Sequence, residues 1–149
     1  MKWHDNCRYM EIPRDYSVRE LAKFHGHLGP FIVLGYRMGK FAIQYFGDNP
    51  FDLFATVYCS GKPPESCIVD GVQLGSGCTF GKRNIELIVS NQISVVFRHV
   101  SGKSCILMPS TYISQRNKLD GPDKEVAIEN FAEEMYSLPD DMLFSVEDI

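Results

Sequence analysis

Two of the four histidines in this sequence stand one residue apart, in the stretch FHGHLGP from Phe24 to Pro30. A second group follows in mid-chain, where Cys67-Ile-Val-Asp70 precedes the glycine-rich run Ser76-Gly-Cys78-Thr-Phe-Gly-Lys82. Imidazole, thiolate and carboxylate are the groups that ligate transition metals, and also the groups that serve as nucleophile and base. Residues two apart on a continuous α-helix point about 200° away from each other. His25 and His27 therefore converge on one ion only if the chain breaks between them, and Gly26 permits such a break. The same stretch is compatible with a turn that carries two imidazoles and no ion.

Cys67 and Asp70 are three apart and so share one face of a helix. Cys67 lies near the start of that helix, where the positive dipole end favours thiolate. Cys78 sits in a glycine-rich loop with Lys82 nearby, which also favours the anion. Cys59 ends a strand-like run just before Pro63-Pro64, in position to face the cysteines of the next element. Each of these cysteines alone is equally readable as a small buried hydrophobe. The loop is not a phosphate-binding loop of the form G-x-x-x-x-G-K-[ST]. Ser76 stands where its first glycine is required, and Arg83 follows the lysine. Cys7 and Cys105 read as structural, His99 as a strand residue, and His4 as part of a disordered terminus.

The elements that position these groups follow from periodicity and punctuation. Ser17-Val-Arg-Glu20 is a capping box that opens a helix through Phe24. Gly29-Pro30 starts a second helix to about Phe46, apolar almost all round, with Arg37, Lys40 and Gln44 on one stripe. Gly35 and Gly39 bare one side of it for close packing. Leu53–Cys59 reads as a strand, Ser66–Leu74 as a short helix, and Ile85–Val89, Ser94–Val100 and Ser104–Met108 as a three-stranded meander. Residues 109–121 read as a polar connection. Pro122–Ser137 is an amphipathic helix with Ile128, Phe131, Ala132 and Met135 inward and Glu125, Glu129 and Glu133 outward. Residues 142–149 form a last strand or a tail. Strands and helices do not alternate regularly, so the expected fold class is α+β, with helices packed on a mainly antiparallel sheet in a single core domain over residues 1–149.

The chain has 149 residues, a net charge of −4 and 44% apolar residues, the profile of a globular domain. A basic nucleic-acid footprint is absent from that balance. No signal peptide and no membrane-length apolar run is visible, so a cytoplasmic protein without membrane attachment is expected. The five cysteines are odd in number and contain no C-x-x-C pair. Their spacing alone is not that of a zinc finger.

FHGHLGPFIVLGYRMG and CIVDGVQLGSGCTFGKRNI together resemble the FmdE family of formylmethanofuran dehydrogenase proteins, over roughly Leu21 to Leu107. The resemblance implies an α+β core that forms homodimers and a metal-associated cleft lined by histidine and cysteine. His25 and His27 match its His-x-His, Cys67 and Asp70 its Cys-x-x-Asp, and Cys78, Gly81 and Lys82 its glycine-rich stretch. Many members read Cys-Pro-Gly after the second histidine where Gly29-Pro30-Phe31 stands here, so one thiolate is missing. The C-terminal zinc-finger module of some members is absent.

Three readings follow. The first is an accessory metal-binding protein of a larger oxidoreductase. In it His25, His27, Cys59, Cys67 and Cys78 hold Zn²⁺, with nickel or iron as alternatives, Asp70 orients a ligand, and Lys82 offsets thiolate charge. The second is a thiol enzyme with Cys78 or Cys67 as nucleophile, doing sulfur transfer or redox relay. The third is a non-catalytic interaction protein whose Gly35/Gly39 helix forms a dimer.

Overall fold

The computed structural model describes residues 6–149, so His4 lies outside it. The capping box forms as expected: Ser17 Oγ accepts from the Glu20 N–H at 3.2 Å, and Glu20 Oε1 accepts from the Ser17 N–H at 3.0 Å. It starts helix α1, Val18–His25, which ends at Gly26 with φ of +99°. That left-handed conformation suits glycine and few other residues. Helix α2, Pro30–Phe46, follows after a short link and is buried along most of its length.

Helix α3, Ile68–Ser76, begins two residues later than expected, after a 3-10 turn over Glu65–Cys67. It packs against α2 through glycine on both sides. A Cβ on Gly35 would fall inside the contact radius of the Ile68 carbonyl oxygen, and one on Gly71 inside that of Ile32. A Cβ on Gly39 would stand 2.6 Å from the Ser76 nitrogen, and one on Gly75 would collide with the Tyr36 carbonyl. The contacts climb both helices in the same direction, so α2 and α3 run parallel with their N-termini at one end. This corrects the reading in which the glycine face of α2 pairs with a second copy. That face is filled by α3 of the same chain.

The sheet comprises β1 (Leu53–Cys59), β2 (Ile85–Val89), β3 (Ser94–His99), β4 (Ser104–Pro109) and β5 (Phe144–Asp148). Their order is β2-β1-β3-β4-β5, and every neighbouring pair is antiparallel except β1 with β2. The expected meander is therefore only half present. Strands β3 and β4 form a hairpin, but β1 lies between β2 and β3. The reason is α3, which carries the chain back so that β2 enters alongside β1 in the same direction, as parallel pairing requires a crossover.

The sheet face toward the helices buries Leu53, Val57, Val95, Phe97 and Leu107 against Leu21, Ile32, Leu34, Met38 and Ile68. The polar connection contains a 3-10 helix over Thr111–Lys118. Helix α4, Lys124–Ser137, turns Phe131, Ala132 and Met135 inward, and a single turn α5, Asp140–Leu143, leads into β5. Arg37 of α2 donates to the Met135 and Tyr136 carbonyls at 3.1 and 2.8 Å and to Asp140 at 2.8 Å. The polar stripe of α2 thus fastens the free carbonyls at the end of α4. Among the described residues no helix is long and apolar enough to cross a membrane.

Candidate metal centre

The break at Gly26 turns His27 back toward His25, and the two ring centroids lie 4.8 Å apart with planes inclined by 39°. Parallel packing of α2 and α3 brings the start of α3 to the same corner, and Cys67 is the residue that precedes it. One ligand atom from each of His25, His27 and Cys67 lies within 4.8 Å of the others. In a tetrahedral zinc site with Zn–N of about 2.0–2.1 Å and Zn–S of about 2.3 Å, such atoms stand roughly 3.3–3.6 Å apart. A contraction of about an ångström, within the reach of side-chain torsions, separates this arrangement from a three-ligand site.

His25 is the anchor. Its Nδ1 lies 2.6 Å from Asp70 Oδ2. A carboxylate accepts this bond, so in the neutral ring the hydrogen sits on Nδ1 and the lone pair on Nε2. Nε2 is buried and has no hydrogen-bond partner among the described residues. A buried polar atom left in that state costs about 1–3 kcal/mol. A metal ion removes the cost, and a carboxylate on the far ring nitrogen is the usual support of a ligating histidine. Asp70 is itself positioned by α3. On the same helix Gln73 accepts from the Phe80 N–H at 2.8 Å, which ties the glycine-rich loop to the site.

Cys59 and Cys78 do not join this group, which corrects the five-ligand set. Cys78 follows the C-terminal end of α3, whereas Cys67 precedes its start. The nine residues of α3 alone span roughly 13 Å at about 1.5 Å per residue. Cys78 is fully buried, and its Sγ donates to the Leu53 carbonyl at 3.4 Å. Cys59 is fully buried with its side chain in the core beside Val57. The positive charge of Lys82 acts to lower the pKa of the Cys78 thiol, against the larger effect of burial. The Lys82 ammonium donates to the Gly77 carbonyl and to Thr79 Oγ1, the latter at 2.7 Å, so it caps the end of α3. Burial pushes its pKa down. Cys105 is a core residue whose thiol burial pushes up to about 11.

The electrostatics also bear on the thiol-enzyme reading. Burial raises the Cys78 thiol above its ordinary range, and the opposing charges of Lys82 and Arg14 do not reverse that. Burial raises Cys67 as well, with the Asp70 carboxylate adding to it and the Arg116 guanidinium acting against it. Neither cysteine is an activated thiolate in metal-free protein. The sign follows directly: a raised pKa keeps the thiol protonated at neutral pH, and reactivity appears only as pH rises through the raised value. Iodoacetamide labelling of chelator-treated native protein, read by peptide mass spectrometry, should show both cysteines reacting more slowly at pH 7.5 than a free cysteine peptide. Faster labelling of either would favour the nucleophile reading.

Arg116 belongs to the site and was invisible in the sequence, where it is one cation in a polar stretch. The 3-10 helix over Thr111–Lys118 brings it beside Cys67, and its guanidinium carbon lies 5.8 Å from the centre of the Phe31 ring. It shares a cleft of about 490 Å³ with His27, Leu28, Glu125, Ile128 and Glu129. Position 29 packs closely on His27: a Cβ on Gly29 would lie 3.3 Å from the His27 ring carbon Cε1.

Residues 24–145 match the family model described as "FmdE, Molybdenum formylmethanofuran dehydrogenase operon". The chain belongs to the FmdE family. The match takes in the histidine corner, α3, the whole glycine-rich loop and Arg116, so every residue of the FmdE candidate site falls inside it. The chain is also 36% identical over 70 residues to a curated protein of Archaeoglobus fulgidus named "Probable S-adenosyl-L-methionine-binding protein". That likeness covers 42% of this chain but 18% of the Archaeoglobus protein.

Proposed function

We propose that this FmdE-family chain binds a transition metal ion through His25 Nε2, His27 and Cys67, and that it serves as an accessory component of a formylmethanofuran dehydrogenase-type oxidoreductase. Two imidazoles and one thiolate suit Zn²⁺ first, with nickel or iron as alternatives. The observation that carries the reading is the buried, partnerless Nε2 of His25, whose other nitrogen is held by Asp70. Three protein ligands leave one tetrahedral position for an exogenous molecule, and a bound ion there would supply Lewis acidity.

The residues around the centre have separable tasks. Asp70 fixes the His25 tautomer and ring plane. Gly26 lets the second imidazole return. Arg116 lines the approach to the centre. Cys59, Cys78 and Cys105 pack in the core, and Lys82 caps the end of α3. We read residues 1–149 as one FmdE-like domain acting in the cytoplasm. A homodimer is supported by the sheet face turned away from the helices, where Phe54, Ile88 and Met108 are exposed.

Elemental analysis of the purified full chain tests the reading, with about one equivalent of metal expected per chain. Asp70→Asn should keep the fold and lower metal affinity by about 10–100-fold in a chelator competition, the range for loss of a carboxylate behind a ligating histidine. Metal-free wild type that takes up no ion on reconstitution would refute it.

A further inference from the structure

The cleft beside the histidine corner has charges that the metal alone does not explain. Arg116 is its cation. Its Nε is buried without a hydrogen-bond partner among the described residues. Among the described residues no carboxylate lies within ion-pairing distance of it. Glu125 and Glu129 line the same cleft, four residues apart on one face of α4 and exposed. They too pair with no cation among the described residues. His27 lines the same cleft, with its ring packed against the backbone of Gly29. The volume of about 490 Å³ falls in the range of small-ligand sites.

We propose that this cleft binds a small amino carboxylate, with the carboxylate docked on Arg116 and the ammonium giving up one proton to solvent on entry, so that its nitrogen lone pair could meet the ion while its remaining N–H groups donate to Glu125 and Glu129. A guanidinium presents paired N–H donors that match a carboxylate. Phosphate would also fit that fork. A multiply charged phosphate, however, would face two uncompensated carboxylates across the cleft, whereas an amino carboxylate presents N–H donors to them. The inference rests on the metal reading above, because the open coordination position is what makes the inner end of the cleft a binding place.

Cobalt(II) substitution of the full chain tests it. The thiolate of Cys67 gives bound cobalt a charge-transfer band, and the visible bands respond to a ligand entering the open position. The probes are glycine, β-alanine, 4-aminobutyrate, propionate and inorganic phosphate. At least one amino carboxylate should shift the visible bands, and bind more tightly than propionate or phosphate. Arg116→Met should keep the cobalt–thiolate band, which reports an intact site, and weaken that probe at least tenfold. Arg116→Lys should recover part of the loss. A Glu125→Gln/Glu129→Gln variant should weaken the amino carboxylate and leave propionate unchanged. Wild type that shows no cobalt–thiolate band brings down the metal reading and this inference with it. A band that forms but responds to none of the probes overturns this inference alone. So does equal affinity in wild type and Arg116→Met, or tighter binding of phosphate or propionate than of every amino carboxylate.

Discussion

Gly35→Ala is expected to destabilise the chain by about 3 kcal/mol and to dismantle the metal centre at the same time. Overpacking a well-filled interior typically costs about 1–3 kcal/mol, with more where the obstacle is rigid. Here the obstacle is backbone: the new methyl would overlap the Ile68 carbonyl oxygen and press on the Val72 nitrogen, neither of which can rotate away. The gain in helix propensity from Gly to Ala, about 1 kcal/mol, is too small to offset it. Relief requires α2 and α3 to separate at the end where His27 and Cys67 meet. Gly81→Ala is the matched control, since a Cβ there would meet nothing within 4 Å and its φ is not in the left-handed region. Urea unfolding of the two variants should give a large drop in midpoint for Gly35→Ala and almost none for Gly81→Ala. Equal midpoints would mean that the helix pair is not packed on its glycines.

Loss of a ligand is the second large effect, and its pattern separates the three-residue site from the five-residue set. His25→Ala and Cys67→Ser each remove one of three bonds to the ion. Either should weaken metal binding by well over the roughly 100-fold that marks the upper range for a supporting residue. Cys78→Ser and Cys59→Ser should retain about one equivalent of metal. They lose stability instead, because a hydroxyl replaces a buried thiol in the core and must find a stronger hydrogen bond than sulfur needs. Inductively coupled plasma analysis of all four, alongside thermal unfolding, gives the answer. Metal lost in Cys78→Ser while the fold persists would restore the larger ligand set and contradict the geometry.

Much of this was legible in the sequence, and the exceptions have identifiable causes. Local signals were strong at the histidine corner, where the capping box, Gly26 and the Gly29-Pro30 start fixed two helix boundaries and made convergence of the imidazoles possible. The bare face of α2 was also visible in the spacing of Gly35 and Gly39. Its partner carried the same signal, since Gly71 and Gly75 are likewise four apart. Joining the two pairs would have placed α3 against α2, although equal spacing fits parallel and antiparallel packing alike, so the end at which Cys67 meets the histidines is set by the contacts of the fold.

What failed was inference from residue type without direction. Cys59, Cys67 and Cys78 are close in sequence, yet a nine-residue helix separates Cys67 from Cys78, and β1 turns Cys59 into the core. Nearness in sequence shows the Lys82–Cys78 charge interaction but not the bonds to the Gly77 carbonyl and Thr79 that fix the ammonium. Strand pairing was misread because β2 and β3 are joined by a short turn, a connection that favours a hairpin on length alone. Only the intervening position of β1 forbids one. Arg116 gave no local signal, since its role arises from a long-range contact made by an irregular segment.

X-ray absorption at the metal edge of the purified, metal-loaded chain tests the central claim most directly, because it counts sulfur and nitrogen neighbours of the ion itself. The account predicts, for zinc, one sulfur at about 2.3 Å and two imidazole nitrogens at about 2.0–2.1 Å, with a further light atom completing the shell. Two or more sulfurs in that shell, or a shell of oxygen alone without imidazole scattering, would contradict it.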